Sequence, residues 1–197
     1  LSKQHIEWLK SNWVNVESHL FDLTGTYDFL SKNDLKKYNL SDLALANTRA
    51  RIRMTALYAI AGSSNGIVVG TGNKVEDFGV GFFTKYGDGG VDISPIADLY
   101  KSEVYALADS LGIIQEIQDA APTDGLWVDG RTDEEQIGAT YEELEWAMRE
   151  SEKPKKLELN ERQKEVLEIY NDLNNLNSHK MQPIPVFRNK DRYLMEE

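Results

Sequence analysis

The chain has 197 residues, with 22 Lys and Arg against 33 Asp and Glu, a formal charge of −11, and no cysteine. That balance argues against a general nucleic-acid binder, which needs clustered cations for the phosphate backbone, and the lack of cysteine excludes disulfides, thiolate metal sites and a cysteine nucleophile. With enough apolar residues for a core, no uncharged apolar run as long as a membrane span and no basic-then-apolar leader, one soluble, cytoplasmic domain over residues 1–197 is expected.

In chain order, Ile6, Leu9 and Trp13 recur at helical spacing, so a helix packed on one side is predicted over 2–13. A strand is predicted over 16–23 and a short helix over 24–31. Ser41 and Asp42 mark the next helix start, an Ala, Leu, Ile and Met pattern runs to Ala61, and Gly62 reads as the stop. Ile67, Val68 and Val69, bounded by Gly66 and Gly70, read as a strand buried on both faces of a parallel sheet. Strand, helix, helix and strand in that order imply an α/β crossover. Gly72, Gly79, Gly81, Gly87, Gly89 and Gly90 then crowd 71–92, too many for a regular element and suited to backbone that approaches a ligand closely. Regularity resumes at Asp98, with Val104, Leu107, Ala108 and Leu111 on one helix face and Gly112 closing it. Residues 121–131 read as a loop. Thr132 with Glu135, and Thr140 with Glu143, have capping-box spacing and place two more helix starts. Asn160 opens a polar helix to about Asn175, and the tail from Ser178, with Pro183 and Pro185, is expected to be extended. The acidic surplus, including Glu142, Glu143, Glu145 and Glu150, is assigned to exposed helix faces.

Open α/β sheets bind ligands beyond the carboxyl ends of their strands, which singles out Thr71, Gly72, Asn73 and Lys74. Thr71 offers a hydroxyl, Lys74 a cation and Glu76 a carboxylate suited to Mg²⁺, a set that suits a nucleoside triphosphate. The same residues also read as a plain helix start, with Thr71 or Asn73 as N-cap. The run from Gly81 to Gly90, GFFTKYGDGG, combines stacking surface, one Lys and permissive backbone, with a structural omega-loop as the competing reading. Arg49, Arg51 and Arg53 are spaced by two on a helix; the outer two are read as far apart around its axis, with a solvated or salt-bridged face as the bland role. Lys101 reads equally as a surface residue. His5, His19 and His179 are too scattered to suggest a metal cluster.

From Gly70-Thr71-Gly72-Asn73-Lys74 through Glu76 to the GFFTKYGDGG block, the sequence resembles the NAD synthetases, ATP-dependent amidotransferases that convert deamido-NAD to NAD. Asn47-Thr48-Arg49-Ala50-Arg51-Ile52-Arg53-Met54 ahead of it agrees, as do Asp92, Pro95, Lys101, Pro122-Thr123, Asp133 to Gly138, Tyr141-Glu142-Glu143 and His179-Lys180 behind it. The resemblance implies an α/β fold of the adenine-nucleotide α-hydrolase type, a parallel sheet flanked by helices, working as a homodimer with free ammonia. It implies ATP contacts from Thr71, Lys101 and Thr123, Mg²⁺ on Glu76, and deamido-NAD contacts from Arg51, Lys85, Asp92, His179 and Lys180. Asp88 and Lys85 are the expected catalytic residues, Asp88 as acceptor of a proton from ammonium.

Family members open with a strand and a phosphate loop of the form S-G-G-x-D-S, which this sequence lacks; Gly62-Ser63-Ser64-Asn65-Gly66 reads instead as a helix stop and turn. The chain, which begins at Leu1 inside a predicted helix, therefore resembles an N-terminally truncated enzyme, and a 197-residue species truly without that loop is expected to turn over little. The alternative is a non-catalytic nucleotide-binding or dimerisation fragment. A third class, a related ATP pyrophosphatase acting on another carboxylate or carbonyl, is disfavoured by the GFFTKYGDGG block.

Overall fold

The computed structural model describes residues 1–127, 129–153 and 158–187. Its helices are α1 (Ser2–Asn12), α2 (Thr24–Phe29), α3 (Asp42–Ser63), α4 (Lys101–Ser110), α5 (Gln115–Gln118), α6 (Asp133–Ile137), α7 (Tyr141–Ser151) and α8 (Glu161–Met181), with π-helical turns at Leu30–Asp34 and Val75–Val80. The two capping boxes form as predicted, and Asn160 with Gln163 makes a third. Val128, inside the loop predicted over 121–131, lies outside the described residues.

The core packs α7 and α8 against the second π-helical turn. Val75 and Val80 of the turn, Leu144 of α7 and Val166 of α8 are fully buried, with Tyr141, Met148 and Tyr170 around them. Burial of an aliphatic side chain of this size contributes about 1.5–3 kcal/mol, so the turn carrying Glu76 and Asp77 is anchored on both sides by core residues. The glycine-rich stretch thus contains a regular element that its glycine count did not suggest.

Several expectations are corrected. No strand forms over 16–23: Leu20 and Phe21 stand exposed, and no ladder partner lies beside the segment among the described residues. Residues 67–69 pair in parallel, Val69 with Ile93, but only Val68 is buried, while Ile67 and Val69 are more than half exposed. Gly62 does not stop α3, which ends after Ser63; the chain turns at Asn65, whose φ is 51°. The helix predicted from Asp98 starts at Lys101, where Glu103 caps the N–H of Tyr100, and Leu107 and Leu111 on its apolar face are exposed. Glu145 and Glu150 are buried rather than solvated: Glu145 accepts from the Ser102 N–H and hydroxyl, both at 2.8 Å, and Glu150 pairs with Lys153 at 2.7 Å.

Helix α8 runs six residues beyond Asn175, to Met181, so His179 and Lys180 belong to its last turn and not to an extended tail. The reason lies in its polar residues. Asn174, Asn177 and Lys180, three apart and hence on one face, donate to the carbonyls of Gly79 (2.7 Å), Val80 (2.8 Å), and both Gly81 (2.7 Å) and Phe83 (2.8 Å). These satisfy carbonyls that the end of the π-helical turn leaves without intrahelical partners. Gly81 takes φ 63° there, where a Cβ would run into Asn177 and Met181.

Candidate active site

The second π-helical turn begins at an Asn73 cap: the buried Oδ1 of Asn73 accepts from the N–H groups of Val75 (3.0 Å) and Glu76 (3.1 Å). Asn73 is therefore a cap, as the bland reading had it, and the cap fixes Glu76. Glu76 Oε1 accepts from Lys101 Nζ at 3.0 Å and from the Tyr141 hydroxyl at 2.6 Å, while Oε2 has only a long contact, 3.3 Å, from the Asn73 N–H. The Lys101 ammonium also lies 4.6 Å from the centre of the Tyr141 ring. Lys101 is thus a partly buried ion-pair partner, not a surface residue. Burial, and then the charge of Glu76, push the Tyr141 phenol far up, so it stays a neutral donor. Mg²⁺ is commonly held by one or two carboxylates and substrate phosphates, and a carboxylate whose second oxygen is weakly engaged fits it. Among the described residues no group of three or more acidic or histidine side chains is arranged around a metal site.

Asp77 lies beside this carboxylate, against the α-carbon of Gly72, where a Cβ would collide with it. Burial, with the charges of Glu76 and Asp88, raises its pKa to about 6.

The glycine-rich loop is suspended between α3 and α8. Thr84 donates from its hydroxyl to Asn47 Oδ1 at 2.7 Å, and Gly87 sits on α3 where a Cβ would meet Ala50 and Thr84. Lys85 Nζ donates to the carbonyl of His179 at 2.6 Å, and the Lys85 carbonyl accepts from Arg51 Nε at 3.2 Å. Asp88 Oδ1 accepts from the Thr84 N–H at 3.0 Å; burial pushes the carboxyl up, opposed by that bond and by Lys180. Burial in turn pushes the Lys180 ammonium down, opposed by the charge of Asp88. Each ammonium has three donors, of which Lys85 spends one and Lys180 two on these carbonyls.

The expected residues therefore gather into two groups. Arg51, Lys85, Asp88, Lys180 and the backbone of His179 surround the loop, while Glu76 and Lys101 pair beside it. Thr71 and Thr123 are exposed on flanking segments, with the Thr123 segment tied in through the Asp133 N–H, which donates to the Pro122 carbonyl at 3.0 Å. Asp92 stands apart, its carboxylate accepting from the Val68 N–H at 2.7 Å. The His179 ring is exposed.

Arg49 and Arg53 are not far apart around α3: four residues separate them, one turn, and they reach the adjacent carbonyls of Leu126 and Gly125. Arg49 also stacks over Tyr27, 4.5 Å from the ring centre. Two open cavities of about 440 and 410 Å³ share Tyr27 and Arg49 as lining residues, and none of the expected site residues lines either. Sequence reasoning gave no role to Asp77, Asp133 or Tyr141. The two capping boxes carried a usable signal, since they put Asp133 and Tyr141 at the first positions of consecutive helices.

The glycine-rich loop, held by cations, lies beside a carboxylate and lysine pair, next to the one parallel bridge among the described residues, Val69 with Ile93; the solved structures that superpose on this chain have the adenine-nucleotide α-hydrolase fold. The family model described as NAD synthase matches residues 4–184, and the chain belongs to that family. It is 41% identical over 180 residues to an NH(3)-dependent NAD(+) synthetase of Alkaliphilus metalliredigens, a match covering 90% of this chain and 68% of that protein. To the NH(3)-dependent NAD(+) synthetase of Carboxydothermus hydrogenoformans it is 42% identical over 137 residues, 68% of this chain and 56% of that one. Among solved structures, an NMN synthetase from Francisella tularensis superposes with a TM-score of 0.78 at 31% identity, covering 95% of this chain and 74% of that chain. An NH3-dependent NAD synthetase from Campylobacter jejuni shares the fold, with a TM-score of 0.65 at 24% identity over 88% of this chain and 67% of that one. No described helix is long and apolar enough to cross a membrane.

Proposed function

We propose that these residues serve the ATP-dependent amidation of deamido-NAD by ammonia, giving NAD, AMP and pyrophosphate through an acyl-adenylate. The observation that carries this reading is the glycine-rich loop itself, where the charge of Lys180 acts on the buried Asp88 and a second ammonium, Lys85, ties the same loop to the last turn of α8. Two ammonium groups and Arg51 suit the diphosphate of a dinucleotide, and a buried carboxylate suits a proton acceptor.

In the first step an oxygen of the nicotinate carboxylate attacks the α-phosphorus of ATP, and the bond to pyrophosphate breaks. Lys101 sets positive charge against the triphosphate, and Thr71 and Thr123 donate hydroxyls to it. Glu76 holds Mg²⁺, which neutralises phosphate charge when bound. In the second step ammonia adds to the acyl carbon and the carbon–oxygen bond breaks, so AMP leaves with the former carboxylate oxygen. Asp88 takes the proton that ammonium must lose, and Lys85 holds the substrate in line. A homodimer belongs to the same reading.

The likeness to the Francisella NMN synthetase favours a second reading, in which the acceptor is nicotinate mononucleotide. The test supplies ¹⁵N-ammonium and Mg²⁺-ATP with either acceptor and follows AMP, pyrophosphate and labelled amide. NAD and AMP in equal amounts support the dinucleotide reading; labelled NMN favours the second. Deamido-NAD bound without any amide formed would instead mark a nucleotide-binding fragment.

A further inference from the structure

Tyr141 has no place in the reaction as drawn, yet it is the best-placed donor in the site. It is the first residue of α7, 5% exposed, with its ring in the core and its own N–H fastened to Glu134 Oε1 at 2.8 Å. Its hydroxyl lies 2.6 Å from Glu76 Oε1 and 3.3 Å from Asp133 Oδ2. A phenol has one proton to give, and the shorter contact assigns it to Glu76. Asp133, 7% exposed, closes the other side of the phenol; its Oδ1 is buried without a partner, and its N–H holds the Pro122 carbonyl next to Thr123.

Lys101 and Tyr141 bind the same oxygen but differ in kind. Lys101 brings a full charge that opposes a divalent cation at Glu76, and its ammonium swings on a flexible stem, so phosphate can draw it away. Tyr141 is neutral, and its ring is locked by packing. We infer that Tyr141 is a positioning residue for the metal carboxylate: its phenol holds Glu76 in a single orientation, so that Oε2 is presented to a divalent cation when Lys101 turns to phosphate. The inference rests on Glu76 as the metal carboxylate of the proposed reaction. A purely structural role would leave the phenol stapling α7 to the π-helical turn with no bearing on metal affinity.

The test uses the full chain carrying Tyr141→Phe, which keeps the ring and removes only the hydroxyl. Mn²⁺ is titrated in the presence of ATP and followed by electron paramagnetic resonance, which needs no turnover. The Mn²⁺ half-saturation point is expected to rise about tenfold, the size of effect for one hydrogen bond to a charged acceptor, while the thermal midpoint falls modestly and the variant stays folded. Equal Mn²⁺ affinity in the folded variant and the parent overturns the inference, as does a parent that binds no Mn²⁺. Should Tyr141→Phe fail to fold, the ¹³C resonance of the Tyr141 ring carbon bearing the hydroxyl is read in the parent instead. It must move on adding Mg²⁺-ATP, and an unmoved resonance overturns the inference. A tenfold shift in Mn²⁺ affinity alongside no amide formation would sink the ligase reading while leaving the positioning role standing.

Discussion

Lys85 and His179, ninety-four positions apart in sequence, are joined by a 2.6 Å hydrogen bond from the lysine ammonium to the histidine carbonyl. That carbonyl belongs to the last turn of α8, where partial negative charge collects and cations are favoured. The same turn sends Lys180 back to the carbonyls of Gly81 and Phe83, so loop and helix hold each other reciprocally.

Lys180→Met removes two charge-assisted bonds while keeping an apolar stem over Phe83, whose ring centre lies 5.3 Å from the ammonium. A stability loss of about 2 kcal/mol is expected, together with weaker deamido-NAD binding. Urea unfolding and calorimetric titration of the dinucleotide check the two effects separately.

Asp88→Asn separates structure from chemistry, because an amide oxygen still accepts the Thr84 N–H that the carboxylate now binds. The fold and dinucleotide affinity should persist, while amide formation falls by at least about 100-fold, the usual share of a proton-transfer group. Steady-state kinetics resolve this as a loss in kcat with little change in KM.

Asp77 gives a pH dependence with a definite sign. Its folded-state pKa of about 6 stands above the ordinary 3.8, so the folded chain binds that proton more tightly than the unfolded one. The contribution to stability is therefore greatest below pH 4 and is lost as pH rises through 6. Asp77→Asn should raise stability by about 1 kcal/mol at pH 7.5, a value reduced for the carboxyl's partial exposure to solvent, and change it little at pH 4. Denaturant midpoints at the two pH values decide the matter.

Glu145→Ala strips the acceptor from the Ser102 N–H and hydroxyl at the start of α4. Leaving those donors unsatisfied should cost about 2 kcal/mol and loosen the helix that carries Lys101. Hydrogen exchange at the Ser102 amide is expected to accelerate, a change that the exposed Glu142 would not produce on truncation to Ala.

Local chemistry was the most legible part of the molecule. Thr132, Thr140 and Asn160 announce helix starts because a cap and its partner lie three residues apart in sequence. The glycine-rich block stood out as a candidate because two Phe, a Lys and a Tyr share a short segment with four Gly. What the sequence hid depends on partners far along the chain. The helix was expected to end near Asn175 with an extended tail from Ser178, because the partners that carry it on to Met181 through Asn177 and Lys180 are the carbonyls of Val80, Gly81 and Phe83, about 97 to 99 positions earlier in the chain. Glu145 looked solvated because its partner, Ser102, lies forty-three positions away. The strand expected over 16–23 rested on apolar residues alone, and a strand needs a neighbour whose position those residues do not specify. Arg49 and Arg53 are different: their spacing of four already put them on one face, and the reading of them as far apart was an error of helical geometry.

The central claim is that the nicotinate carboxylate attacks the α-phosphorus of ATP, and isotope transfer tests it most directly. Deamido-NAD labelled with ¹⁸O in that carboxylate is supplied with Mg²⁺-ATP and ammonium, and the nucleotide products are read by mass spectrometry. The account predicts one ¹⁸O atom in each AMP formed, with none in pyrophosphate. Unlabelled AMP accompanying NAD, label in inorganic phosphate, or no NAD at all would contradict it.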